Sequence, residues 1–471
     1  MPGKRAPLTV LILAAGQGTR LKSKTIKLLH PVAGQPMATW VARAAAGLKP
    51  DKTVAVVGFQ SEQVEAALGD LCDAFVLQRE QRGTGHAVLQ AASALKGAGG
   101  PLLIVNGDLP SLRAETLAAL IALHRKEKAA LSLVTTVLPD ATGYGRIVRD
   151  GGGRVERIVE HKDATASERA LREINCGIYC ADPTLLFPLL RKLRPDNAQG
   201  EYYLTDAVHA LIKKKAKVVA LVHGASDEVL GVNTRAELAR AGAELYARKA
   251  TALQEGGVTL LDPSRTWVDP RASIARDVVL YPDVIVEGET TIGEDSVVRP
   301  GCRLNGVRLG RGVEIKDHSV LEDAVVGDFA SVGPFAHLRP GSVLERDAKV
   351  GNFVELKKTT LGRGSKASHL AYLGDAQIGH DCNIGAGTIT CNYDGVHKHK
   401  TTLGAGVFIG SDTQLVAPVS VGEGAYVGAG TTVTDDVPAG ALALSRVRQL
   451  NLEGWVARKK KKAAAGSSHH S

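Results

Sequence analysis

Near the amino terminus the residues best suited to chemistry are two glycines and two cations. Gly16 and Gly18 stand in Leu13-Ala14-Ala15-Gly16-Gln17-Gly18-Thr19-Arg20, at the end of an apolar run. Glycines there leave backbone N–H groups free to wrap phosphate oxygens, and Arg20 and Lys27 add charge against a polyphosphate. The loop is not a P-loop, because no GK[ST] follows, and Leu21 replaces the third glycine of a dinucleotide fingerprint. Asp108 follows a second apolar run, 101–106, where a carboxylate is placed to ligate a divalent cation. Taken alone, an aspartate after a strand is more often a cap or turn residue than a ligand. Far downstream, His369 offers a group that exchanges protons near neutral pH.

The elements that must position these groups fall into two kinds. In the first half, short apolar runs at 8–15, 53–58, 101–106 and 130–137 alternate with helical patterns at 37–47, 61–68 and 85–95. That order predicts an α/β domain with a largely parallel sheet, whose ligands bind in the loops after the strands. From 286 to 433 an aliphatic residue recurs every six positions, as in Val326, Val332, Leu338, Leu344, Val350 and Leu356. This is the period of a hexapeptide parallel β-helix, in which each flat side takes one hexad and stacked coils bury a continuous core. Steps of five at 304→309, 321→326, 356→361 and 373→378 mark tightened turns. His369 lies off the inward register held by Ala367 and Leu373, and residues 390–401 interrupt the repeat as a projecting loop. Residues 236–254 read as a connecting helix closed by Gly256-Gly257.

Composition narrows the classes. A chain of 471 residues exceeds a single core, so two large domains are expected. The net charge of +9 includes the run Lys459–Lys462, with no nucleic-acid motif beside it, and anionic small substrates account for the rest equally well. Six cysteines without CxxC pairing read as reduced cytosolic thiols, and the run 8–15 is too short to span a bilayer. The expectation is therefore a cytoplasmic protein with neither nucleic acid nor membrane as partner.

The string LAAGxGTR resembles that of the sugar-1-phosphate nucleotidyltransferases. Gln81-Arg82-Gly83-Thr84-Gly85-His86, Gly143-Tyr144-Gly145-Arg146, Glu160-His161-Lys162-Asp163 and Asn197 through Asp206 extend the match. With the β-helix they make residues 8–457 similar to the bacterial bifunctional N-acetylglucosamine-1-phosphate uridyltransferase/glucosamine-1-phosphate N-acetyltransferases. The resemblance implies a domain at 1–235, a linker helix at 236–256, a left-handed β-helix at 257–457 and a basic low-complexity tail at 458–471. It implies acetyl transfer from acetyl-CoA to glucosamine 1-phosphate, then uridylyl transfer from UTP, in a homotrimer. Asp108 and Asn233 would hold Mg²⁺. Leu13, Ala14, Ala15, Gly16, Lys27, Gln78, Gly83 and Thr84 would hold the nucleotide, with Asn233. Gly145, Glu160 and Asn175 would hold the sugar. In the coil His369 would be the proton acceptor, and Arg339, Lys357, Tyr372 and Asn383 would take the sugar phosphate. Ala386, Asn392, Tyr393, Ser411, Ala429 and Arg446 would take acetyl-CoA. Two departures stand out: Ile26 where the family usually has Pro, and Asn106 where Tyr is common. The rivals are a nucleotidyltransferase with a purely structural coil, a scaffold, and a nucleic-acid binder.

Overall fold

The computed structural model describes residues 6–466 except Gln17 and Arg446. The chain divides into two compact units, Met1–Lys249 and Ala250–Ser471.

The first unit is built on a nine-stranded mixed sheet. Its strands are β1 (Thr9–Ala14), β2 (Lys52–Val57), β3 (Ala74–Leu77), β4 (Leu102–Asn106) and β5 (Leu131–Val137), with β6 (Arg146–Arg149), β7 (Val155–Val159), β8 (Glu173–Ala181) and β9 (Val218–Val222). The path runs β9-β5-β8-β4-β1-β2-β3, with β6 pairing both β8 and β7. β1 lies parallel between β2 and β4, and all six of its residues are buried or nearly so, which explains its unbroken apolar run. The sheet is less parallel than the alternation of strands and helices predicts. β8 runs antiparallel to β4 and β5, and β6 and β7 form an antiparallel pair. Local periodicity does not encode strand direction, and here crossover helices are lacking around β6 to β8. The helices Met37–Ala46 and Ser61–Leu68 stand at the predicted positions within one residue, whereas Thr84–Gln90 ends five residues short of the predicted 85–95, where the chain continues as turns.

The second unit is a three-sided coil of eleven, ten and nine parallel strands. On the first face the inward residues run Val298↔Ile315↔Val332↔Val350↔Ala367↔Ile384↔Ile409↔Val427. Each is buried to 3% exposure or less, so the hexads form one continuous core. Successive partners differ by 17 or 18 residues except at 384→409, where the loop 390–401 is inserted. Glycine is required where coils touch: a Cβ on Gly351 would stand 1.9 Å from the Ser368 carbonyl oxygen.

The helix Arg235–Glu255 contributes Ala241 and Leu245 to a cluster with Val32, Met37 and Val232, while its Ala250 and Leu253 join the coil's core. The segment Trp455–Gly466, which enters the basic tail, is helical. Alanine and lysine are strong helix formers, and the Lys459 ammonium sits 4.8 Å over the Trp455 ring. Among the described residues no helix is long and apolar enough to cross a membrane.

Candidate functional site

Two adjoining cavities open at the carboxyl ends of β1 and β4, of about 340 and 280 Å³. Leu13, Thr84, Asn106 and Asp108 line both. The first cavity also takes Ala15, Gly16, Lys27, Gln78 and Gly83. The second takes Gly145, Glu160, Asn175 and Asn233. Residues spread over 220 positions of chain thus gather into two adjoining compartments, with Asp108 on the wall of both. Ala14 lines neither; its side chain is buried in the core, so only its backbone can serve the loop.

Asp108 sits in the turn after β4 because the strand ends at Asn106 and the Gly107 N–H bonds to the Leu13 carbonyl at 2.9 Å. Lys27 Nζ lies 2.5 Å from Asp108 Oδ2 and 2.7 Å from Asn233 Oδ1. Arg20 donates to the same Asn233 oxygen at 2.8 Å. The two oxygens therefore converge on one point that already holds a cationic atom. One carboxylate and one amide oxygen, with phosphate and water completing the shell, suit Mg²⁺. Gly18 makes the Lys27 path possible: with φ +69°, a Cβ there would lie 2.2 Å from Lys27 Cβ.

Glu160 accepts from the Thr205 hydroxyl at 3.2 Å. Burial pushes its carboxyl above the ordinary range, and Asp206, Asp163 and Glu201 push the same way. Gly145 lies against it, since a Cβ there would meet Glu160 Oε2 at 3.3 Å. The Asn175 N–H donates to the Gly145 carbonyl at 2.9 Å, which ties the three sugar-side residues together. The backbone accommodates both departures. Ile26 holds φ −64°, the angle proline would impose, and buries its side chain. Asn106 places its amide where a Cβ on Gly177 would stand, 2.1 Å away, so β8 bends around it with Gly177 at φ +72°.

Three groups went unassigned in the sequence. Gln81 donates to the Ala15 carbonyl at 2.7 Å, Thr205 holds Glu160, and Tyr144 lines the second cavity. All lie inside the motif strings, which was the available signal.

On the coil, the acetyl-transfer candidates resolve into columns. Cross-coil register pairs Asn352 with His369, and counting two positions on from the paired Ile384, Ile409 and Val427 puts Ala386, Ser411 and Ala429 in the same column. At about 4.8 Å per coil, His369 to Ala429 spans roughly 14 Å along the axis. Asn383 lies on the same face, three positions before Ala386. Arg339 and Lys357 occupy neighbouring coils of the next face, and Arg339 pairs with Glu355 at 2.8 Å. Tyr372 follows on that face, and Gly374 lacks the Cβ that would strike both the Tyr372 hydroxyl and the Asn392 amide. Asn392 donates to Asp375 at 2.5 Å, and the loop beyond closes on itself through an Asp394–His399 contact of 2.6 Å. Hydrogen bonds from the loop hold the Asp394 carboxyl at about 2. That loop brings in Lys398, which no motif assigned. Lys398 holds the Lys357 ammonium below its usual range, with burial and Arg339 acting the same way. Three cations on one patch fit a sugar phosphate. Arg446 lies outside the described residues.

Residues 10–196 match the MobA-like NTP transferase domain, 264–361 the GMPPB C-terminal domain, and 400–435 six bacterial transferase hexapeptide repeats. The α/β unit and the left-handed hexapeptide coil are therefore those of known transferases. The chain is 51% identical to the bifunctional protein GlmU of Pelobacter propionicus, over 97% of this chain and 99% of that one. It is 49% identical to the bifunctional protein GlmU of Geobacillus thermodenitrificans, over 95% of this chain and 97% of that one. The corresponding protein of Geotalea uraniireducens is 47% identical, over 96% and 99%. With identity at this level over nearly the whole of both chains, this chain belongs to the family of bifunctional GlmU proteins.

Proposed function

We propose that the protein makes UDP-N-acetylglucosamine in two steps, one on each unit. The coil transfers acetyl from acetyl-CoA to glucosamine 1-phosphate. The α/β unit then transfers uridylyl from UTP to N-acetylglucosamine 1-phosphate and releases pyrophosphate. The observation that carries this reading is Asp108 on the wall shared by a glycine-lined cavity and a Glu160-lined cavity.

In uridylyl transfer a phosphate oxygen of the sugar attacks the α-phosphorus, and the bond to the bridging oxygen of pyrophosphate breaks. Gly16 and its neighbours offer backbone N–H groups to the nucleotide phosphates, while Lys27 and Arg20 counter their charge. Glu160, steadied by Thr205, accepts from the sugar, and Asn175 with Gly145 shapes the pocket around it. Asp108 and Asn233 would hold Mg²⁺, which supplies charge neutralisation between the two anionic reactants.

In acetyl transfer the amine nitrogen attacks the thioester carbonyl carbon, the C–S bond breaks, and CoA leaves as the thiol or thiolate. His369 takes the amine's proton. Arg339, Lys357 and Lys398 bind the 1-phosphate, and Tyr372 and Asn383 bind the sugar. Acetyl-CoA lies along the column from Ala386 to Ala429, with Asn392, Tyr393 and Arg446 beside it. A homotrimer suits the exposed apolar ladder of Phe335, Phe353 and Leu370, at 49%, 56% and 60% exposure, next to the His369 column. UTP and acetyl-CoA as substrates, with six free cysteines, support a cytoplasmic enzyme.

The test is an omission series with glucosamine 1-phosphate, acetyl-CoA, UTP and Mg²⁺. UDP-N-acetylglucosamine and pyrophosphate are expected only with every component present, whereas CoA release requires only glucosamine 1-phosphate and acetyl-CoA. An unchanged rate of UDP-sugar formation without acetyl-CoA overturns the coil's role, and light scattering checks the trimer.

A further inference from the structure

We propose that Asn352 is a positioning residue for acetyl transfer, setting the tautomer of His369 so that Nε2 carries the lone pair that takes the amine's proton. The proposal rests on the reading of His369 as proton acceptor. Asn352 and His369 are partners in register on adjacent coils, and Asn352 Oδ1 lies 2.6 Å from His369 Nδ1. An amide oxygen only accepts, so Nδ1 carries the hydrogen. A neutral imidazole has one N–H, and Nε2 is left as the base.

The surroundings single out this contact. Counting two positions on from the pairs Val332↔Val350 and Ala367↔Ile384, the residue one coil before Asn352 is Pro334 and the one after His369 is Ala386, neither of which has a polar side-chain atom. The backbones of the pair are locked: the Leu370 N–H donates to the Asn352 carbonyl at 3.0 Å, and Gly351 lets the coils touch beside them. Charged groups on the flanking strands are Lys349 and Lys366 on the same face, with Arg339, Glu355 and Lys357 on the next. The one carboxylate of that set, Glu355, is paired to Arg339 at 2.8 Å. Among the described residues no carboxylate hydrogen-bonds His369, so the neutral amide orients the ring without adding charge.

Three variants test this in the full chain, with both activities, oligomeric state and melting measured on each. Asn352→Leu keeps the size and removes the acceptor. It should lower kcat of acetyl transfer about 10-fold or more, with KM for glucosamine 1-phosphate and the uridyltransferase rate unchanged. Asn352→Asp can also only accept, so it should restore most of kcat. Its negative charge favours the imidazolium, so the acid limb of the pH–rate profile should move up by about one pH unit or more. His369→Ala supplies the reference. If it retains acetyl transfer, the reading of His369 itself falls. If it loses acetyl transfer while Asn352→Leu matches the parent protein, only the positioning role falls. Should Asn352→Leu unfold, the Asn352→Asp profile decides, and an unmoved acid limb overturns the proposal.

Discussion

Lys27 and Asp108, 81 positions apart in the chain, meet at 2.5 Å, with the ammonium also 2.7 Å from the Asn233 amide oxygen. The lysine thus donates to the same two oxygens proposed to hold a divalent cation.

Asp108→Asn keeps size and removes the charge at that point. Uridylyl transfer should fall by about two orders of magnitude or more, with acetyl transfer unchanged. Near-normal uridylyl transfer at limiting Mg²⁺ would contradict the assignment.

Gly18→Ala should cost about 100-fold in uridylyl transfer, because the new methyl displaces Lys27 from a path it shares at 2.2 Å and strains a φ of +69°. The thermal midpoint of the first unit should fall modestly. Full activity would show that the Lys27 position is adaptable.

Glu160 titrates above an ordinary carboxyl because it is buried beside Asp206, Asp163 and Glu201. A raised folded-state pKa means its contribution to stability is present below the unfolded pKa and is lost as pH rises through the folded one. At neutral pH the ionised carboxylate therefore destabilises the first unit. Glu160→Gln should raise its melting temperature by about 2–4 °C at pH 7, with no gain at pH 4, while weakening use of the sugar phosphate. Equal shifts at both pH values would remove the electrostatic cause.

His369→Ala should abolish measurable acetyl transfer and leave uridylyl transfer, oligomeric state and melting temperature intact, because the side chain stands outside the coil's core. Loss of the assembled coil in calorimetry would instead make the residue structural.

A fragment ending at Lys249 should retain uridyltransferase activity, whereas one ending at residue 236 should melt lower. The difference is Ala241 and Leu245, which pack against Val32, Met37 and Val232. Burial of two such side chains is worth about 2–4 kcal/mol, so equal melting points would be decisive against it.

Periodicity alone determined the coil, because inward residues such as Val332, Val350 and Ile409 recur at the hexad and each must be buried for coils to stack. It also placed the strand β1 and the Gly16–Gly18 loop after it, since a buried parallel strand is a continuous apolar run. Strand direction was not legible: β8 is antiparallel through pairings with β4 and β5 that no local pattern carries. Nor could spacing show that Lys27, Asp108 and Asn233 share one point, that Asp108 walls two cavities, or that Lys398 crowds Lys357. The same holds for the column of Asn352, His369, Ala386, Ser411 and Ala429, whose members stand 17, 17, 25 and 18 residues apart. Chemistry of this kind depends on distances between side chains far apart in the chain. Those distances are set by sheet order and coil register, which only the folded chain decides.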